Sequence, residues 1–200
     1  SAGREFNAET WATQYDFPAI ARGEIVKSTF PHSKPSGMTG LVMNTRRPPF
    51  DDWRVRDALI QAFNFEYINE TITGGALPRI TSYFSNSELA MQDGPATGRV
   101  ADYLAPFGDR LPVGALEGYA LPVSDGSARN RRGIRAAMKQ LEAAGYSAVD
   151  GTMRDAAGKP FSFSILISKG SAQDIQGSQK IADLYVGALT RLGINARVEV

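Results

Sequence analysis

The clearest alternation of apolar and polar positions runs from Gly40 to Asn69, GLVMNTRRPPFDDWRVRDALIQAFNFEYIN. Leu41, Val42 and Met43 make an apolar run that suits a short buried strand and is too short for a helix. Pro48 and Pro49 interrupt any helix, and Arg47 before them is driven toward extended conformations. Asp51 or Asp52 can accept from the free N–H groups of the next turn, where a negative charge also suits the helix dipole. Val55, Leu59, Ala62 and Phe63 recur at helical spacing, leaving Arg54, Arg56, Asp57 and Gln61 for water. Asn64 offers a second cap, Phe65, Ile68 and Ile72 share one face, and Gly74-Gly75 end the pattern.

Elsewhere the rhythm changes twice. Residues 1–39 show weak periodicity broken by Pro18, Pro31 and Pro35, with Glu24 to Phe30 as one short strand. Between 74 and 126, glycine and proline recur so often that the spacing predicts long ordered loops, with one helix between Ala96 and Leu104. From Ser127 the helical period returns. Ser127 or Asp125 can cap a helix carrying Ile134, Ala137, Met138, Leu141 and Ala144, stopped by Gly145. Thr152–Arg154 and Phe161–Ile167 flank Asp155-Ala156-Ala157-Gly158-Lys159 and read as a hairpin. A helix from about Asp174 to Leu192, stopped by Gly193, leads to a strand over Ala196–Val200. Phe161–Ile167, this helix and the last strand form a βαβ unit with parallel strands. The fold class is therefore α/β, a mixed sheet flanked by helices.

Composition narrows the functions available. The chain has 200 residues, 42% of them apolar and 22% charged, enough for one real core. Its net charge of +1 gives no field for nucleic acid or an anionic membrane. Cysteine is absent, which removes thiol catalysis, disulfides and Cys-based zinc sites. With a single histidine, a multi-histidine metal site is impossible, and no nucleotide-binding glycine loop occurs, so no cofactor is expected. No stretch approaches the roughly 20 apolar residues of a membrane span. The chain opens Ser-Ala-Gly-Arg and stops inside a predicted strand, so both ends are expected to belong to something longer.

Four sets of residues could carry chemistry. His32 would have to serve any Ser-His-Asp site, but it lies in a proline-rich stretch with no Gly-x-Ser-x-Gly turn in the chain. It reads better as a surface histidine. Asp51 and Asp52 point in different directions at a helix start, and capping accounts for them. Arg129, Arg131, Arg132 and Arg135 cluster where a helix begins, an end that disfavours cations. They fit a solvated face or an acidic partner. The loop Thr81–Ser87 mixes two aromatic faces with hydroxyls and an amide, which suits polar organic ligands or peptide backbone and equally suits a packed loop whose aromatics plug the core edge. Its candidate contacts are Ser82, Tyr83, Phe84 and Asn86. Ser168 to Gln176 joins the end of a parallel strand to a helix, where open α/β sheets bind ligands. Ser168, Lys169, Ser171, Gln173 and Asp174 are its candidates, with Asp174 equally able to cap the helix.

The ordered motifs carry a family resemblance. A strand ending in Asn44, the turn Pro49-Phe50-Asp51-Asp52 and the helix Val55-Arg56-Asp57-Ala58-Leu59 resemble the second lobe of extracellular solute-binding proteins (family 5) of peptide-type ABC importers. Leu141-Glu142-Ala143-Ala144-Gly145-Tyr146 is similar to that family's helix end, and the hairpin and Leu192-Gly193-Ile194 follow in the family's order. The stretches 11–19 (WATQYDFPA) and 82–89 (SYFSNSEL) look like its YejA branch, associated with oligopeptide and microcin C uptake. Asn64 departs from a more usual Asp.

The resemblance implies a periplasmic-binding-protein type II-like lobe. Residues 1–39 would be a hinge-proximal segment and connection, and 40–200 a second α/β lobe truncated at its C-terminal end. It implies a monomeric, periplasmic substrate-binding component that presents a peptide or peptide-like ligand to an inner-membrane permease, with no enzymatic role. An isolated lobe of this kind is expected to fold and to bind peptide weakly or not at all. The competing readings are a peptide-recognising interaction module, a module using the arginine cluster, and a hydrolase using His32.

Overall fold

The computed structural model describes residues 3, 5, 8–112, 114–168 and 172–200, and the side chains of 8–9 and 172–176 lie outside that description. Two compact units emerge. One comprises Ser1–Ser28, Leu41–Pro78 and Pro122–Val200, the other Thr29–Gly40 and Arg79–Leu121.

The first unit holds the core. Short helices α1 (Ala8–Thr13) and α2 (Pro18–Ala21) lead to α3 (Trp53–Ala62) and α4 (Phe65–Thr73). Asp52 starts α3 as expected: its carboxylate accepts from Arg54 N at 2.8 Å. The Arg54 guanidinium closes back on it at 2.6 Å and also donates to the Ala143 carbonyl at 2.7 Å, satisfying an orphan acceptor at the end of α6 (Arg131–Ala143). Arg54 and the cap together hold the Asp52 carboxyl below its ordinary value. A depressed folded-state value means that the stabilisation is full above about pH 4 and fades as acid protonates the folded carboxylate. Asp52→Ala is therefore expected to cost about 1 kcal/mol at neutral pH, with the difference from wild type shrinking in urea melts as the pH falls below about 4.

Val55, Ala58, Leu59 and Ala62 form the buried face of α3, against Ala137 and Leu141 of α6. The helices approach closely at Gly133, where a Cβ would collide with the Gln61 carbonyl and the Asn130 amide. Helix α7 (Ala172–Thr190) adds Ala182, Tyr185 and Leu189 to the same core. The buried Tyr185 hydroxyl donates to the Leu59 carbonyl at 2.8 Å, and burial raises its pKa far above the ordinary phenol value.

Two small sheets complete the unit. β1 (Ser147–Val149) pairs antiparallel with β2 (Thr152–Arg154), and β3 (Ser162–Leu166) pairs in parallel with β4 (Asn195–Glu199), in register from Ser162 opposite Asn195 to Leu166 opposite Glu199. The expected βαβ unit, β3–α7–β4, is present. The second unit is mostly ordered loop, as the glycine and proline spacing predicted, with α5 (Gly98–Leu104) and a 3-10 turn over Ala105–Arg110.

Several local expectations need correction. Leu41–Met43 forms no strand: it has no ladder partner, Val42 is 97% exposed, and only Met43 packs on the core. Glu24–Phe30 is irregular for the same reason, with Val26 and Phe30 exposed. The hairpin is present but short: Arg154 bridges Pro160, Asp155 N donates to the Lys159 carbonyl and Phe161 N to the Met153 carbonyl, while β2 also pairs with β1, a three-residue strand that the sequence reading did not include.

The caps also differ. Asn130, not Ser127 or Asp125, caps α6, accepting from Gly133 N at 3.2 Å from a left-handed backbone of φ 38°. Asp125 instead accepts from Ser127 N. Asn64 sits at the cap position of α4, but its amide donates to the Ser127 carbonyl and its oxygen accepts from Ser124. Helix α7 begins at Ala172, so Asp174 lies inside its first turn and is not the cap.

Candidate functional site

The loop around Ser82–Asn86 lies in the second unit and is built from its own polar groups. Ser85 is the hub. Its hydroxyl accepts from Thr81 N and Ser82 N at 3.2 and 3.0 Å and donates to the Ser82 carbonyl at 2.9 Å. The Ser82 hydroxyl accepts from Phe84 N at 3.3 Å and from Met91 N at 3.1 Å, closing the far side of the turn. Asn86 takes a left-handed φ of 68°, a conformation its short amide tolerates. From there its amide nitrogen donates to the His32 and Lys34 carbonyls at 2.8 and 3.0 Å. Ser36 N and its hydroxyl both donate to the Ser85 carbonyl.

The division of labour follows from these bonds. Ser82, Ser85 and Asn86 hold the frame, and their polar atoms are engaged inside it. Tyr83 and Phe84 are left standing outward, 69% and 50% exposed. Two adjacent aromatic rings on a fixed loop can stack on peptide groups, sugar rings or apolar side chains, with little ordering cost because the backbone beneath them is already pinned. Ser85 is the organising position of this loop that residue-type reasoning left out of its candidate contacts. Its signal was the Ser-x-x-Ser spacing of Ser82 and Ser85, which lets one hydroxyl serve the backbone of the other.

His32 lies on an exposed segment of the same unit. Its Nδ1 accepts from Lys34 N at 3.2 Å and faces the Asn86 amide at 3.3 Å. The hydrolase reading needed this ring in a cleft beside Ser or Asp; among the described residues its hydrogen-bond partners are Lys34 N and the Asn86 amide, and the segment is exposed. Among the described residues no group of three or more His, Cys, Asp or Glu is arranged to hold a metal.

The second candidate set belongs to the first unit. Ser168 is exposed just past the C-terminal end of β3. Lys169 and Ser171 lie outside the described residues. Gln173 and Asp174 fall in the first turn of α7, and their side chains also lie outside the description.

The first unit also contains a recess of about 130 Å³ that the sequence did not announce, lined by Gln61, Phe63, Pro122, Val123, Ser124, Asn130, Arg132 and Gly133. It exists because Gly133 draws α6 onto α3 while the Asn64–Ser124 bond fixes the incoming strand of chain beside them.

Comparison with known proteins now bears on these features. Residues 3–200 match the family model described as bacterial extracellular solute-binding proteins, family 5 Middle. The peptidoglycan-binding protein YepA of Agrobacterium fabrum is 38% identical over 185 residues, covering 92% of this chain and 29% of YepA. The probable peptide-binding protein YejA of the same organism is 36% identical over 200 residues, covering 98% of this chain and 31% of YejA. This chain thus spans under a third of the length of either relative. Among solved structures, the oligopeptide-binding protein AppA from Bacillus subtilis, in complex with a nonapeptide, superposes with a TM-score of 0.52 at 19% identity, over 78% of this chain and 24% of AppA. That likeness establishes the shared fold, the periplasmic-binding-protein type II architecture that the motifs implied. No helix among the described residues is long and apolar enough to cross a membrane. The chain belongs to the bacterial extracellular solute-binding proteins of family 5.

Proposed function

We propose that this chain is part of the substrate-binding component of an ABC importer that captures oligopeptides or peptide-like compounds in the periplasm and presents them to an inner-membrane permease. The observation that carries this reading is the match along nearly the whole chain to relatives named for binding peptide and peptidoglycan. Peptide is the chemistry those two names share. The loop geometry supports it: Tyr83 and Phe84 offer stacking surfaces on a frame held by Ser82 and Asn86, while Ser168 follows the end of β3 and Gln173 and Asp174 lie in the first turn of α7.

In this reading residues 1–39 lead into an α/β lobe formed by 40–200. The protein acts as a monomer and as a carrier, without a catalytic step or a nucleic-acid partner. Transport by such a carrier rests on reversible capture, so the function is tested by what the protein binds. A thermal-shift panel on the intact protein should show short peptides and peptidoglycan stem peptides raising the melting temperature by several degrees. A ligand at one hundred times its Kd adds about 2.7 kcal/mol to the folded state. A panel in which free sugars shift the melting temperature and every peptide leaves it unchanged would sink the reading.

A further inference from the structure

The arginines around the start of α6 form a charged surface outside the residues proposed for peptide capture. Arg129, Arg131, Arg132 and Arg135 are all exposed. Arg191, beyond the end of α7, joins them by donating to the Ala128 carbonyl at 2.8 Å, next to Arg129 in the chain. Arg132 donates to the Val123 carbonyl. The guanidiniums of Arg129, Arg131 and Arg135 have no hydrogen bond or ion pair among the described residues. The acids nearby are engaged otherwise: Asp125 accepts from Ser127 N and feels Arg132 only through space, and Glu66 accepts from Ser124 N at 2.9 Å.

Local stability does not account for this surface. Cations in the first turn of a helix oppose its dipole, and Arg131 with Arg135 is a like-charge pair four residues apart. The whole chain carries only +1, so five guanidiniums here are a local segregation of charge. Beside them opens the recess of about 130 Å³ that Arg132 lines with Phe63, Pro122 and Ser124. Its volume suits one side chain, and its walls combine apolar surface with the Arg132 guanidinium as donor.

We propose that this surface docks an acidic segment of a partner protein, with one carboxylate side chain entering the recess beside Arg132 and its neighbours paired by Arg129, Arg131 and Arg135. Guanidinium forks match carboxylates in a bidentate manner. A discrete recess favours a polypeptide, which can insert a side chain, over the flat plane of a lipid bilayer. The proposal stands apart from the identity of the transported solute.

Fluorescence anisotropy tests it on the intact protein, with a labelled peptide of alternating glutamate and glycine, its glutamine analogue, and phosphatidylglycerol vesicles. The glutamate peptide should bind and weaken about tenfold or more between roughly 20 and 200 mM salt. The glutamine analogue should not bind. The triple variant Arg129→Glu/Arg131→Glu/Arg135→Glu should abolish binding with no fall in melting temperature, since none of the three bonds within the fold and acidic residues suit a helix start. Arg132→Gln should weaken binding about tenfold while the other arginines remain. Equal binding of the glutamine analogue, full binding by the triple variant, binding to the vesicles alone, or no binding to any probe would each overturn the proposal.

Discussion

Gly193→Val is expected to destabilise the protein by about 3 kcal/mol or more, the sum of backbone strain and overpacking. Gly193 has φ 74°, a left-handed conformation in which a β-branched residue is a genuine outlier. Space is equally lacking. A Cβ there would lie 2.7 Å from the Gly151 carbonyl oxygen and 2.8 Å from Met153 N. Both are backbone atoms, so no side chain can swing away. The closeness is itself structural, because Met153 N donates to the Gly193 carbonyl at 2.8 Å and ties β2 to the connection between α7 and β4. Leu192, Ile194 and Met153 are almost wholly buried on either side, so a shift that relieved the collision would open the core. Chemical denaturation should show Gly193→Ala in between. A valine variant within about 1 kcal/mol of wild type would contradict this packing.

How the sequence announced these features depends on how local each signal is. Asp52 at the start of α3, Gly74 and Gly193 as stops, and the βαβ unit were legible because capping, left-handed termination and helical spacing are written within a few residues. Leu41–Met43 misled because an apolar run states only that burial is favourable, whereas a strand also requires a neighbour for its backbone. Asn130 was missed as a cap because Ser127 and Asp125 are equally good capping residues. What decided between them was the tertiary bond from the Asn130 amide to the Gln61 carbonyl at 3.2 Å. The recess beside Arg132, which Gln61 and Asn130 both line, likewise had no sequence signature. In the Ser82–Asn86 loop the residue types were informative but their roles were not. Hydroxyls and an amide that suit a ligand proved to be engaged by backbone of their own unit, which leaves the outward work to the rings.

That distinction gives the second large effect. Tyr83→Ala/Phe84→Ala removes two exposed rings that make no contribution to the buried core, so its effect on stability should stay within about 0.5 kcal/mol. The effect on capture should be far larger. Aromatic anchors commonly carry about 2 kcal/mol or more of binding energy, corresponding to losses of about thirtyfold upward. Ser82→Ala should behave differently, loosening the turn through the lost bonds to Phe84 N and Met91 N and weakening capture through the disordered frame.

Isothermal titration of the intact protein with the peptide that gives the largest thermal shift, compared between wild type and Tyr83→Ala/Phe84→Ala, is the most direct test of the central claim. The account predicts saturable peptide binding by wild type and a loss of about thirtyfold or more in the double variant at an unchanged melting temperature. Peptide binding of equal strength in both proteins would contradict it.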